Sequence, residues 1–491
     1  MDSIRLFQTK AEYERVKDSF EFPTMSRVIE THEILYMDEP NYQEQYLTFK
    51  ALEDGTFTLT VPASVDSTYM TSISYSIDNG ATWTTTTIDN TAQTITTPTV
   101  NTGGKVLWKG VGKQMSKGIS TVSSSIFSAT CNFNANGNIM SLLYGDDFVD
   151  ETTFPTDSAY TFCYLFSNAG NKLINVDDLI LPATTLAQAC YSNMFRGCTS
   201  LTTVPELLAT TLAVRCYNGM FQNCTALTTA PELPATTLAQ ECYNSMFQNC
   251  TALTTAPELS ATTLAESCYY YMFRDCTSLT TAPELPATTL AQGCYSNMFR
   301  GCTSLTSAPV LPATTLASAC YGTMFQGCTS LTTAPELPAT TLVQDCYSSM
   351  FNGCTALTTA PELPATTLTN YCYSGMFRDC TALTTAPLLS ATTLAQYCYQ
   401  QMFYGCTSLT TAPELPATTL VTNCYQEMFR GCSNLNYIKA MFTTTPSTSY
   451  TRNWVNGVAA SGTFVKNSAA EWNVTGNNGV PTGWTLQTAS E

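Results

Sequence analysis

The segment Leu181-Pro-Ala-Thr-Thr-Leu-Ala-Gln-Ala-Cys-Tyr-Ser-Asn-Met-Phe-Arg-Gly-Cys-Thr-Ser-Leu-Thr-Thr-Val-Pro-Glu206 decides the fold, because it recurs ten times, to about residue 440. Its first cysteine returns every 26 residues as Cys190, Cys216, Cys242, Cys268, Cys294, Cys320, Cys346, Cys372, Cys398 and Cys424. A second series, Cys198 through Cys432, runs eight residues behind. A fixed period of roughly 20–50 residues marks a solenoid, a propeller or a similar array. Leu186, Cys190, Met194 and Cys198 step by four, with Phe195 beside Met194. That spacing predicts one apolar face of a short helix over about 185–196, with Thr184 or Thr185 as N-cap and Gly197 as the left-handed terminator. Leu201-Thr-Thr-Val204 predicts a short strand, ended by Pro205. One strand and one helix cannot bury their apolar faces alone, but stacked units can.

These units resemble the leucine-rich repeats of the Treponema/BspA type. Those carry a Phe-x-x-Cys-x-x-Leu core followed by an Ile/Leu-Pro step. Here Phe195-Arg-Gly-Cys198-Thr-Ser-Leu201, with Leu207 or Leu181-Pro182, occupies these positions. The chain departs from the pattern by a few more residues per repeat and by the first cysteine of each pair. The resemblance covers about half the chain. It implies an α/β leucine-rich-repeat solenoid of ten 26-residue repeats, with a parallel sheet on one side and short helices on the other. It also implies adhesion or partner binding and no catalysis.

The 22 cysteines have two readings. An even count permits disulfides. Two thiols eight residues apart along a helix would, however, lie roughly 12 Å apart, where bridging needs Cα atoms about 4.4–6.8 Å apart. Equivalent cysteines of neighbouring repeats come within reach, each with two identical neighbours. The other reading is a ladder of buried free thiols acting as small hydrophobes. No Cys-x-x-Cys pair exists to suggest zinc.

The flanks differ in kind. Residues 1–45 read as an N-terminal arm or anchor, with Lys10-Ala-Glu-Tyr-Glu-Arg-Val-Lys-Asp18 as a short amphipathic helix and Glu33 to Pro40 extended. Residues 46–139 read as an all-β, sandwich-like domain. Thr56 to Val61 alternates with period two, and Ile73–Ile77 and Thr82–Thr85 flank the turn signal Asp78-Asn-Gly80. Ser76-Ile-Asp-Asn-Gly-Ala-Thr-Trp83 resembles the Asp-box hairpin of sialidase-type propellers, a structural turn. Residues 140–180 read as an N-terminal capping repeat, through Tyr160 to Phe166 and Leu173 to Val176. Residues 181–440 are the solenoid, and 441–491 read as the C-terminal cap.

Composition excludes several functions. Lys and Arg number 20 against 37 Asp and Glu, a formal net charge of −17, so no basic footprint for nucleic acid is present. The single histidine, His32, excludes multi-histidine metal sites. No apolar run approaches the ~18 residues of a membrane span, and the N-terminus lacks the apolar stretch of a secretory signal. A complete chain starting there would not be exported by the general secretory route. There is no phosphate loop, no Gly-x-Ser-x-Gly elbow and no Cys/His pair placed by motif. An enzyme is not expected, nor a cofactor, nor a bound metal.

Two patterns bear on function. Glu206, Glu232, Glu258, Glu284, Glu336, Glu362 and Glu414 recur at one repeat position, interrupted by Val310 and Leu388. They read as a ladder that binds divalent cations or attracts a cationic partner, or else as a solvated edge. The second pattern is variation around an invariant core, in the triplet before the first cysteine, the pair before Met and the residue after Phe. Arg196, Arg215, Tyr270, Tyr271, Arg274, Arg300, Tyr371, Arg378, Tyr397, Tyr404 and Arg430 fall there, off the Leu/Cys/Met face, as a candidate partner-binding surface. The layout also resembles that of Bacteroidetes-phage fibre-like proteins, through a short arm, a β domain, repeats, and an ending with Gly462-Thr-Phe-Val-Lys466 and Gly483-Trp-Thr485. That resemblance implies a virion structural protein, assembled in the host cytoplasm and attached to other virion proteins through residues 1–45. Its solenoid would bind a host-surface glycan or protein, in a homo-oligomer such as a trimer, without nucleic acid or membrane insertion. The alternative is a BspA-like adhesin on a bacterial cell surface.

Overall fold

A computed structural model describes residues 45–489. The helix expected at 10–18, the arm at 33–40 and His32 lie outside them. The described residues belong to one compact unit, Tyr42–Glu491.

The chain enters through β1 (Leu47–Ala51), β2 (Phe57–Val61), β3 (Met70–Ser76), β4 (Thr84–Thr87), β5 (Gln93–Thr96), β6 (Lys105–Gly112), β7 (Ile126–Ala129) and β8 (Phe133–Asn138). A short helix α1 (Ser141–Tyr144) and the strands β9 (Leu173–Asn175) and β10 (Leu179–Ile180) follow. One sheet runs β10-β8-β1-β6-β3-β4, with β9 also on β8; the other runs β5-β2-β7. Alternation of apolar and polar residues turns one face of each sheet inward. There Phe49 and Phe57 meet at 5.5 Å, and Trp108 and Phe127 at 5.0 Å. The turn at Asp78 joins β3 to β4 as an antiparallel hairpin. Asp78 accepts from the Thr82 hydroxyl at 2.5 Å, from the Ser76 hydroxyl at 2.7 Å and from the Thr82 amide at 2.9 Å, and these bonds, the Thr82 hydroxyl above all, hold its carboxyl down at about 2.

The repeats stack as coils, but the helix expected over about 185–196 does not form. Among the described residues no repeat contains an α-helix. In its place Cys190, Ser192, Met194, Arg196 and Cys198 donate their amides to the carbonyl three residues back. The intervening Ala189, Tyr191, Asn193, Phe195 and Gly197 donate instead to Val214, Cys216, Asn218, Met220 and Gln222 of the next coil. Every fourth residue is left-handed, as at Ala189, Asn193 and Gly197 with φ of 50°, 55° and 77°. An apolar step of four suits both an α-helix and a four-residue turn. The turn wins because half its amides bind the neighbouring coil, whereas an α-helix would spend them all internally.

The strand side is also sparser than expected. It consists of single parallel bridges, such as Thr255 to Thr281, Thr281 to Ser307 and Ser307 to Thr333. In most coils two prolines interrupt this segment, and each removes an amide that a ladder would use.

The core of the stack is a set of columns. Phe195 to Phe429 form one ladder with ring centroids 5.5–5.7 Å apart. Tyr191 to Tyr425 form another at 5.8–6.0 Å. All 22 cysteines are free and buried. The second-series thiols have a defined role. From Cys224 to Cys432 each Sγ donates to the Phe carbonyl 29 residues earlier, at 2.9–3.1 Å.

Both ends are built into this stack. Phe166 stacks on Phe195 at 5.3 Å and reaches Phe127 at 5.8 Å in the β domain, so the two cores are continuous. The described part of the segment expected as a cap, 441–489, keeps the coil geometry. Phe429 donates its amide to Trp454, and Gly431 to Asn456. The parallel strands β11 (Tyr437–Ala440), β12 (Thr463–Lys466) and β13 (Thr485–Thr488) continue the other side.

Candidate functional site

Repetition places equivalent residues in columns along the coil axis, so the variable positions read in sequence become a surface. The inward columns are identical from coil to coil. The outward columns of the turn side carry the variation. All eleven candidate residues lie there, and all are half-buried rather than free in solvent.

They form separate groups. Arg215 makes a two-point contact with Glu241, at 2.8 and 2.9 Å, one coil away, and that carboxylate raises its pKa further. Arg196 donates to the Tyr164 hydroxyl at 3.2 Å. Tyr270 and Tyr271 meet edge to face at 4.0 Å, with Arg274 4.8 Å above the Tyr271 ring. Burial first, and then the bond that the Tyr270 hydroxyl donates to Tyr271, pushes that hydroxyl up to about 12. Arg300 adds positive charge near Tyr270.

The densest group lies near the C-terminal end of the repeats. Tyr371 and Tyr397 stack 4.5 Å apart with planes 7° from parallel. Tyr404 sits between Arg378 at 4.8 Å and Arg430 at 5.5 Å. Arg378 donates to Gln401 at 3.3 Å, Gln401 to Glu427 at 2.7 Å, and Arg430 to Glu427 at 2.8 Å. Glu241 and Glu427 escaped the sequence reading, and Gln401, which falls in the variable pair before Met, was not among its candidates. The signal was present as a complementary residue 23 or 26 positions from an arginine or glutamine, which is one coil or nearly so.

Charge divides the coil. Residues 181–436 contain six arginines and no lysine, and every arginine is on the turn side. The seven recurring glutamates are exposed on the strand side. Glu414, at the end of that ladder, pairs with Lys439 at 3.0 Å. Among the described residues no group of His, Cys, Asp or Glu is placed to hold a metal ion, and no helix is long and apolar enough to cross a membrane. The thiols are chemically quiet as well, since burial pushes Cys302 well above its ordinary value and Cys328 up to about 12.

The model of the BspA type leucine-rich repeat region matches residues 165–306 and 294–436, in six copies. No curated protein matches the chain. Among solved structures, the crystal structure of a TLR13–ssRNA13 complex aligns with 62% of this chain at 14% identity and a TM-score of 0.24. The alignment spans 42% of that receptor chain, and at that score it carries no argument.

Proposed function

The chain belongs to the BspA-type leucine-rich repeat proteins, and from that premise we propose that it is a non-enzymatic, adhesion-type binding protein whose turn side contacts the partner. One observation supports this most. The inward columns barely change over ten coils, while the turn side gathers every arginine of the repeats and the tyrosines outside the core ladder. Tyr and Arg are the residue types that anchor interfaces.

The test uses the labelled full chain in a sedimentation assay with intact cells. The double variant Arg378→Glu/Arg430→Glu is expected to bind at least tenfold more weakly. Glu336→Lys/Glu362→Lys, on the strand side, is expected to bind as the parent does. The reverse ranking sinks the assignment of the turn side.

The finer proposal is a virion fibre component attached through residues 1–45, with a cell-surface adhesin as the alternative. The order of arm, β domain and repeats, with the ending at 462–466 and 483–485, is what supports the fibre. Mass spectrometry of gradient-purified phage particles tests it, with stoichiometric recovery expected. Recovery in the cell envelope alone would leave the adhesin.

A further inference from the structure

Tyr371 and Tyr397 occupy left-handed backbone, each with φ of 59°. The same column holds Ala189, Ser267, Gly293, Ala319, Asp345 and Asn423 in other coils, and the long Arg215 and Glu241, which pair with each other. Left-handed backbone is costly for a bulky L-residue and cheap for Gly or Asn. Both tyrosines are half-buried, outside the core ladder, so packing of the coil does not require them. The coil imposes left-handed backbone on this column everywhere, so what sets these two coils apart is that a bulky ring is accepted where Gly or Asn would avoid the strain, and strain kept at a surface position points to a role beyond packing. Four residues beyond Tyr397 on the same side lies Gln401, also left-handed at φ 55°. It belongs to the chain Arg378–Gln401–Glu427–Arg430 that encloses Tyr404.

The chemistry of this strip is specific. Its charges cancel, since Arg378 lies 3.4 Å from Asp379 and Arg430 lies 2.8 Å from Glu427. A polyanion therefore finds no surplus charge. No large aliphatic side chain is exposed within it, so a protein partner finds tyrosine and arginine anchors without an aliphatic centre around them. What it offers is tyrosine rings beside planar amide, carboxylate and guanidinium groups held by one another. Hydroxyl groups both donate and accept, and such groups answer both needs. The C–H faces of a sugar ring pack on aromatic rings, which supply contact area at low entropic cost.

We propose that Tyr371, Tyr397, Gln401 and Tyr404, with Arg378 and Arg430, form a binding strip for a neutral saccharide. This rests on the adhesion reading and names its ligand class. The strip follows the coil axis, because Tyr371 and Tyr397 are one repeat apart, and so suits an extended chain better than a single sugar.

The test is an array of immobilised neutral oligo- and polysaccharides with heparin as the polyanionic control, probed with the full chain. Binding to at least one neutral glycan is expected, with heparin blank. Tyr404→Ala should weaken it at least tenfold. Tyr397→Asn should weaken it at least fivefold while its melting temperature stays level or rises, because Asn accepts the left-handed backbone. A blank array, binding to heparin alone, or full binding by both variants overturns the proposal. A blank array with cells still sedimenting, and protease treatment of the cells abolishing it, means a protein partner: the saccharide fails and the adhesion reading stands. A blank array with no cell binding removes both.

Discussion

Cys302 Sγ lies 3.1 Å from the carbonyl oxygen of Phe273 in the preceding coil and donates to it. The same carbonyl accepts the Cys276 amide at 3.1 Å, so one buried oxygen has both lone pairs engaged. This accounts for a cysteine at the second position of every repeat: it needs a small, mostly apolar side chain with one donor. Cys302→Ala removes that donor and leaves a small cavity, and should cost about 2 kcal/mol. Cys302→Ser keeps a donor and should cost less. Urea titration of both variants checks the order, and equal losses would mean that the thiol acts only by volume.

The thiols should also control behaviour in alkali. Burial raises Cys328 to about 12 and Cys424 to about 11, from an ordinary 9.0. A raised pKa means that the folded chain holds protons the unfolded chain releases. Stability is therefore complete below about pH 9 and falls as pH rises toward the folded values, by about 1.4 kcal/mol per thiol per unit. The urea midpoint should drop steeply between pH 9 and pH 11. At pH 8 a thiol reagent such as DTNB should leave the native chain unlabelled and react fully in denaturant.

Thr323 is β-branched and left-handed, with φ of 55°, where the preceding coil has Asn297 at 57°. Branching at Cβ makes this conformation an outlier. Thr323→Asn should stabilise the chain by about 1 kcal/mol, read as a rise in melting temperature. A fall would show that the bond from Thr323 Oγ1 to the Gly322 carbonyl, 2.6 Å, outweighs the backbone strain.

Phe166 carries the aromatic contact between the β domain and the coil stack. Phe166→Ala should cost about 3–5 kcal/mol and split thermal unfolding into two calorimetric transitions. A single transition at lower temperature would mean that the pairing of β9 and β10 with β8 is enough to keep the two parts cooperative.

The coil stack was legible in the sequence because the 26-residue period is nearly free of error. The inward columns were legible because Leu186, Cys190, Met194 and Cys198 share one face under either geometry. The backbone between them was not, since a step of four does not separate helix from turn. The deciding clue was the polar or small residue at every fourth place, such as Asn193, Gly197, Gly219 and Asn223, all left-handed. Those residue types tolerate that conformation, whereas a helix interior disfavours them. The candidate tyrosines and arginines were found from their variability alone. Their pairing with Gln401, Glu427 and Glu241 was hidden, because it depends on which side chain of the next coil each one faces.

In this stack the alternate amides of each turn segment pass to the next coil at the same offset, Tyr191 to Cys216 and Tyr217 to Cys242 alike. In its backbone bonding every such junction is thus interchangeable with every other, and only outward pairs such as Arg215–Glu241 are particular to one joint. Loss or gain of whole 26-residue units leaves the amide bonds and the inward columns of each remaining joint unaltered. The length of the stack is therefore set by the number of repeats alone, independently of its cross-section and with no new core to design.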